Sequence, residues 1–119
     1  MRVLVIGASE KKDRYANMAI NDLLTYKHDV FAIGSRKGNV EGVNIETEHV
    51  AFEEIDTVTM YVGPQNQTGF YDYILSLKPR RVIFNPGTEN SVFENLLEKS
   101  NIETIQACTL VMLRTNQFE

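Results

Sequence analysis

Several residue types and patterns are scarce in this 119-residue sequence, and each scarcity excludes a class of protein. The only cysteine is Cys108, so no disulfide can form within the chain, and we expect a reducing compartment. No apolar run approaches the length of a membrane span. The chain opens on a strand-like run rather than on a signal-peptide pattern. We therefore expect a cytoplasmic protein that does not act at a membrane.

Positive charge is also in deficit, with 12 Lys and Arg against 16 Asp and Glu, which gives a net charge of -4. This balance argues against a general nucleic-acid-binding protein. The acidic residues concentrate between residues 41 and 56, in a segment without a calcium-loop pattern, as is typical of a solvated face.

Histidine is scarce as well, which limits both metal binding and catalysis. His28, His49 and Cys108 do not show metal-ligand spacing, so we expect no metal site. A catalytic thiol at Cys108 would need a base. His28 precedes a predicted strand, at the edge of the sheet away from the expected site, and His49 lies in the acidic segment. We therefore predict no catalytic residue and interpret Cys108 as structural.

The sequence does contain a regular alternation of short apolar runs and amphipathic segments. The apolar runs are short and rich in β-branched residues, which predicts buried strands at 3–6, 30–33, 57–62, 82–84 and 104–107. Apolar residues at helical spacing predict helices at 14–27, 66–77, 89–99 and 109–115. Residues 35–56 are predicted to be irregular, with 43–45 as a candidate short strand.

This alternation predicts one α/β domain over residues 1–119, a three-layer Rossmann-like fold. Its core would be a parallel five-stranded sheet with helices on both faces. Ligands of such sheets bind beyond the carboxyl ends of the strands. Four loops rich in glycine, proline or small polar residues are expected to meet at that edge, namely 7–14, 34–37, 63–66 and 85–89.

The first of these loops has features of a phosphate-binding turn but lacks the dinucleotide fingerprint G-x-G-x-x-G. Only Gly7 is present, and Ser9 occupies the place of the second glycine. Gly7 allows a ligand to approach closely, and the amides from Ala8 onward, with the Ser9 hydroxyl, can donate to a phosphate. A tight strand-to-loop turn would explain the glycine equally well.

The second loop carries cations where an NAD site carries a carboxylate. Ser35, Arg36 and Lys37 follow the second strand, so no acidic side chain is available for the ribose hydroxyls. The pair Arg36 and Lys37 suits a ribose phosphate, which is the 2'-phosphate of NADP or the 3'-phosphate of coenzyme A. The alternative interpretation is a solvated basic turn.

The stretch VLVIGASEKKDRYANMAINDLLTYKHDVFAIGSRKGNVEGVNI resembles the start of the CoA-binding domain family. Its members are small Rossmann-like proteins similar to the N-terminal domain of the succinyl-CoA synthetase alpha subunit. The matching features are Gly-Ala-Ser after the first strand, an Arg-Tyr pair that opens the first helix, and a basic turn after the second strand. The resemblance continues through TMYVGPQNQ and RVIFNPGTEN to IQAC.

The sequence departs from the family pattern at two loops. The second strand usually ends in Asn-Pro in the family, and here it ends in Ile33-Gly34-Ser35. The fourth loop reads Asn85-Pro86-Gly87 where a glutamine-glycine type is expected. Both departures lie at the expected ligand site, so they bear on the choice of ligand rather than on the fold.

The resemblance implies a coenzyme A site at the carboxyl edge of the sheet. It implies that the diphosphate lies over the first loop, the 3'-phosphate at the basic turn, the adenine at the third loop, and the pantetheine at the fourth. The implied cofactor-binding residues are Gly7, Ala8, Ser9, Arg14, Tyr15, Ser35, Arg36, Lys37, Val62, Gly63, Pro64, Asn85, Pro86 and Gly87.

Three functions remain open on this basis. The first is a stand-alone module that binds coenzyme A or an acyl-CoA, without an enzymatic reaction of its own. The second is a subunit of an acyl-CoA synthetase-like complex, in which partner chains supply the chemistry. The third is an NADP-binding reductase fragment or redox-sensing module, with Tyr61 or Tyr71 as proton donor. We expect the first, and a homodimer or a partner enzyme subunit is compatible with it.

Overall fold

The computed structural model describes all 119 residues, and its strands form one seven-stranded sheet. The strands are β1 (Arg2–Ile6), β2 (Asp29–Ile33), β3 (Gly38–Val40), β4 (Val43–Glu46), β5 (Thr57–Met60), β6 (Arg81–Phe84) and β7 (Glu103–Gln106). The helices are α1 (Tyr15–Thr25), α2 (Tyr71–Leu77), α3 (Ser91–Lys99) and α4 (Thr109–Arg114). The strand order is β3-β4-β2-β1-β5-β6-β7, and every neighbouring pair is parallel except β3 and β4.

The central strand β1 is buried on both faces and divides the core into two halves. On one face, Val3 and Val5 belong to a cluster that includes apolar residues of α1 and α4. On the other face, Leu4 and Ile6 belong to a cluster that includes apolar residues of α2 and α3. Helices therefore cover both faces of the sheet, which confirms the predicted three-layer α/β fold. None of the helices combines the length and the apolar character that crossing a membrane requires.

The prediction of five strands is corrected to seven, because β3 and β4 form a hairpin in the segment 35–56. The candidate short strand at 43–45 corresponds to β4, whereas β3 falls in residues predicted to be irregular. Its two-residue turn, Glu41-Gly42, has positive φ at both positions, 49° and 90°, as a tight hairpin turn requires. Val40 and Val43 pair across the turn and are both buried. The Asn39 side chain accepts a hydrogen bond from the Gly42 N–H at 3.0 Å. Val40 is the only apolar side chain of β3, so the sequence shows no apolar period that would reveal this strand.

The second predicted helix begins later than its apolar spacing indicated. Residues Pro64–Asn66 and Thr68–Phe70 form two 3-10 turns, and α2 begins only at Tyr71. Gly69 has a low helix propensity, and the side chain of Gln67 turns inward and is fully buried. The other three helices and the five predicted strands lie within two residues of their predicted bounds.

A buried histidine lies at the amino-terminal edge of the sheet, opposite the loops described below. His28 is 6% exposed, and its Nδ1 is 3.0 Å from the Met1 amino group. Its ring meets the edge of Phe118 at a centroid distance of 5.0 Å, and Phe118 also lies under the Arg81 guanidinium. Burial lowers the pKa of His28, and the Met1 amino group lowers it further, against the weaker opposing effect of Glu119.

We expect the protein to lose stability as the pH falls below about 6.5, the pKa of an unfolded histidine. Below that value His28 binds a proton more readily in the unfolded chain than in the folded protein, because burial lowers its pKa in the folded state. Urea unfolding at about pH 7 and about pH 5.5 measures the loss. His28→Gln should reduce this difference, and His49→Gln, at an exposed position, should preserve it. An equal effect of both substitutions would contradict the assignment.

Candidate ligand-binding cleft

A cleft of about 950 Å³ lies beyond the carboxyl ends of the central strands. Loops that follow β1, β2, β5 and β6 form its walls, as expected for a ligand site of a parallel sheet. Twelve of the fourteen residues predicted to bind a cofactor line this cleft. They are Gly7, Ala8, Ser9, Arg14, Tyr15, Ser35, Arg36, Lys37, Val62, Gly63, Pro86 and Gly87.

The other two predicted residues, Asn85 and Pro64, do not line the cleft. Asn85 is 2% exposed, and its amide donates to Thr59 Oγ1 at 2.7 Å and to the Met60 carbonyl at 2.8 Å. Its side-chain oxygen, Oδ1, accepts a hydrogen bond from the Thr109 N–H at 2.8 Å. The Asn85 side chain therefore connects β5 and β6 to the start of α4 beneath the cleft. Pro64 begins the first of the two 3-10 turns.

The first loop is fixed to the end of β2 by two hydrogen bonds to one carbonyl. The Gly7 and Ala8 N–H groups both donate to the Ile33 oxygen, at 2.8 and 2.9 Å. The expectation that the Ala8 amide is free for a phosphate is therefore wrong. The next two amides, those of Ser9 and Glu10, have no acceptor within the chain.

The start of α1 adds further free donors beside this loop. The N-cap residue Arg14 makes no side-chain capping hydrogen bond, and the first turn contains no acidic residue. The N–H groups of Tyr15 and Ala16 have no acceptor within the chain. The helix dipole and these unpaired N–H groups together favour an anion at this end of α1. The hydroxyl oxygen of Ser9, Oγ, accepts a hydrogen bond from the Lys11 N–H at 3.1 Å. The hydroxyl hydrogen of Ser9 therefore remains available to donate.

The charges that line the cleft are strongly unbalanced. Lys11, Arg14, Arg36 and Lys37 face a single acidic residue, Glu10. None of these four cations forms an ion pair, since all ion pairs of the chain lie elsewhere. The cleft therefore has an excess of three positive charges on a chain whose net charge is -4. Such an arrangement attracts an anionic ligand.

Two glycines allow three of the loops to pack backbone against backbone. A Cβ at Gly34 would lie 2.4 Å from the Ala8 carbonyl oxygen and 2.9 Å from Ile45 Cγ2. Gly7 has a φ of +96°, and a Cβ there would lie 2.9 Å from the Tyr61 carbonyl carbon. Neither position accepts a side chain, so the first, second and third loops hold a fixed relation at the floor of the cleft.

The opposite wall depends on Gln67, a residue that no sequence pattern singles out. Its Nε2 donates to the Val62 carbonyl at 2.8 Å and to the Thr88 carbonyl at 2.7 Å. Its Oε1 accepts from Asn90 Nδ2 at 3.0 Å. Gln67 thereby joins the loop after β5 to the loop after β6. Nothing in the sequence distinguishes it from Gln65 two residues before.

The cleft also contains residues beyond the predicted set. Glu10 and Lys11 belong to the charged loop that was predicted to meet the site, so their position in the sequence was the available signal. Phe70 was predicted on the face of a helix and Thr47 in an irregular segment, so no sequence signal placed either residue in the cleft. The added lining residues are Glu10, Lys11, Ala16, Ile33, Gly34, Thr47, Tyr61, Asn66, Phe70 and Thr88.

A family model described as CoA binding domain matches residues 1–114. The chain belongs to this CoA binding domain family. The resemblance inferred from the sequence is therefore confirmed over nearly the whole chain. No curated protein sequence matches this chain.

Solved structures with the same fold include proteins of known and unknown role. An uncharacterized protein is 47% identical and has a TM-score of 0.96, over 98% of this chain and 97% of its own. A hypothetical protein from Pyrococcus horikoshii is 19% identical, with a TM-score of 0.86, over 98% of this chain and 83% of its own. A dinucleotide-forming acetyl-coenzyme A synthetase 1 from Ca. Korarchaeum cryptofilum, in complex with phosphate and ADP, is 15% identical. Its TM-score is 0.72, over 89% of this chain and 25% of that enzyme.

Neither tyrosine that was considered as a proton donor for a reductase is suited to that role in this member of the CoA binding domain family. The Tyr61 hydroxyl is buried without a hydrogen-bond partner, and burial raises its pKa. Tyr71 does not line the cleft. Its hydroxyl accepts from Asn90 Nδ2 at 2.9 Å, and its ring stacks on Phe93. The reductase interpretation therefore loses both of the tyrosines that were considered as its proton donor.

We expect Gly34→Ala to lower the free energy of unfolding by about 1–3 kcal/mol, because the new Cβ would overlap the Ala8 carbonyl. Gly69→Ala is the matched control, since a Cβ at Gly69 meets no atom within 4 Å. It should change stability by no more than about 0.5 kcal/mol. Urea unfolding of both variants measures the difference. Equal stability of the two variants would contradict the close packing of the first and second loops.

Proposed function

We propose that the chain is a single-domain module that binds coenzyme A or an acyl-CoA in the cleft, without an enzymatic reaction of its own. The observation that carries this proposal is the set of four cations without an ion-pair partner beside free backbone N–H groups. Coenzyme A carries a diphosphate and a separate 3'-phosphate, so it needs two anion sites. Membership of the CoA binding domain family supports this choice of ligand.

The diphosphate is proposed to lie over the first loop, at the start of α1. The free N–H groups of Ser9 and Glu10 and the uncapped end of α1 supply donors there. Lys11 and Arg14 lie on the same side of the cleft and add positive charge. The Ala8 N–H has no part in this arrangement, because it donates to the Ile33 carbonyl.

The 3'-phosphate is proposed to bind at the basic turn between β2 and β3. Arg36 and Lys37 line the cleft there, and both are exposed and without an acidic partner. The N–H groups of Ser35, Arg36 and Lys37 have no acceptor within the chain. A guanidinium and an ammonium together with free amides are well suited to a phosphate dianion.

The remaining parts of the ligand are assigned to the less charged walls. The adenine is proposed to rest near Val62 and Gly63, on the loop after β5, and Phe70 adds an aromatic surface nearby. The pantetheine is proposed to face Pro86 and Gly87. A Cβ at Gly87 would meet no atom within 4 Å, so this loop is open toward the solvent. An acyl group on the pantetheine would therefore meet little obstruction on this side.

We expect the double variant Arg36→Ala/Lys37→Ala to bind coenzyme A about tenfold or more weakly than the wild type, because charged hydrogen bonds to the 3'-phosphate are lost. Its affinity for dephospho-CoA, which lacks that phosphate, should remain close to that of the wild type. Isothermal titration with coenzyme A, dephospho-CoA and NADP measures these affinities. Lys99→Ala, an exposed cation on α3 outside the cleft, serves as the control.

The same titrations separate the proposal from its alternatives. Tighter binding of NADP than of coenzyme A would favour the dinucleotide interpretation. If the double variant loses affinity for coenzyme A and for dephospho-CoA equally, the assignment of the 3'-phosphate to the basic turn is contradicted. No binding of coenzyme A by the wild type would contradict the proposed function itself.

A further inference from the structure

The acidic residue of the cleft has a contact that the proposed function does not explain. Glu10 lies among four cations but forms an ion pair with none of them. Its Oε2 accepts a hydrogen bond from the backbone N–H of Asn39, the second residue of β3, at 2.9 Å. The carboxylate therefore reaches across from the first loop to the β3–β4 hairpin.

This hydrogen bond is the sole one between residues 9–14 and residues 34–46. The basic turn, residues 35–37, lies between two anchored points. At one end, the Gly34 N–H donates to the Glu46 carbonyl at 2.9 Å. At the other end, the contact from Glu10 to Asn39 is what ties the turn to the first loop. The turn itself makes no backbone hydrogen bond through its own N–H groups.

Gly38 provides the space for this contact. A Cβ at Gly38 would lie 2.4 Å from Glu10 Cδ and 2.8 Å from Glu10 Oε1. The Glu10 side chain thus lies directly against the backbone at the start of β3. It also forms part of the wall of a second, smaller pocket on the other side, together with Asn39. Glu10 therefore lies between the cleft and a smaller pocket that α1 and the β3–β4 hairpin line together.

We propose that Glu10 is a positioning residue that holds the basic turn in place and thereby sets the preference of the cleft for a ligand with a 3'-phosphate. This inference rests on the proposed function, since it concerns the phosphate assigned to Arg36 and Lys37. A carboxylate at this position lowers the positive charge of the cleft, so its charge alone disfavours an anion. Its benefit lies in fixing the turn, because Arg36 and Lys37 lose less entropy on binding a phosphate when the turn that carries them is already ordered.

Three substitutions separate the hydrogen bond from the charge. Glu10→Ala removes both, while Glu10→Gln removes the charge and keeps a carbonyl oxygen that can accept from Asn39. Gly38→Ala keeps Glu10 and displaces its flexible side chain from the start of β3. Gly38 does not have a positive φ, so alanine is compatible with its backbone conformation.

The measurement is the ratio of the coenzyme A and dephospho-CoA affinities, by isothermal titration. We expect Glu10→Ala and Gly38→Ala each to reduce this ratio about three- to tenfold. We expect Glu10→Gln to keep it at or above the wild-type value, because the turn stays fixed while a negative charge near the 3'-phosphate is lost. Hydrogen exchange of the Asn39 N–H in the ligand-free protein provides a readout that does not depend on the ligand. Exchange should be faster in Glu10→Ala and Gly38→Ala than in the wild type and Glu10→Gln.

The outcomes distinguish this inference from the proposed function. A wild-type ratio retained by Glu10→Ala, or the same change in Glu10→Ala and Glu10→Gln, would overturn the positioning role. An Asn39 N–H that exchanges equally fast in all four proteins would overturn the contact itself. A wild type that does not bind coenzyme A would overturn the proposed function, and the exchange data would then still decide whether Glu10 holds the hairpin.

Discussion

The close backbone contact between the first loop and the end of β2 is the constraint on which the rest of the cleft depends. The Ile33 carbonyl accepts from both Gly7 and Ala8, and Gly34 lies against the Ala8 carbonyl without room for a side chain. Because the chain turns so tightly after β1, the next amides, those of Ser9 and Glu10, are left without internal partners. The same turn brings the charged loop and the basic turn to one side of the cleft.

The free N–H groups and cations of the cleft lie mostly at exposed positions, so water satisfies them in the free protein and they are available to an anionic ligand. Beneath the cleft, two buried polar side chains are instead paired within the chain. Asn85 and Gln67 are both almost fully buried, and each makes at least three hydrogen bonds that connect neighbouring loops. The floor of the cleft is therefore built from polar side chains that are fully hydrogen-bonded. The wall formed by the first loop and the basic turn has free amides and an excess of positive charge.

The sequence was sufficient to predict the α/β class, the order of the main elements and the edge of the sheet where the cleft lies. Those features follow from apolar periodicity and from the rule that ligands bind at the carboxyl ends of parallel strands. The β3 strand was missed because Val40 alone gives it apolar character, and its pairing depends on the turn at Glu41-Gly42.

Individual contacts could not be predicted, because they depend on where side chains and amides point once the chain has folded. Asn85 lies in a loop predicted to meet the ligand, yet its amide turns inward to β5 and α4. The Ala8 N–H was expected to be free and is occupied. Gln67 was not singled out, although it joins two walls of the cleft. For Asn85 and Ala8 the sequence identified the right loop but not the partner of the polar atom, and Gln67 lies in a segment that was predicted to be a helix.

The amides and cations left unpaired around the first loop are the proposed binding site for the phosphates of coenzyme A. The most direct test is a titration of the 15N-labelled protein with coenzyme A, followed by the chemical shifts of its backbone amides. We expect the largest shifts at Ser9, Glu10, Tyr15 and Ala16, with a second group at residues 35–37. Absence of any shift, or shifts confined to residues outside the cleft, would contradict this assignment.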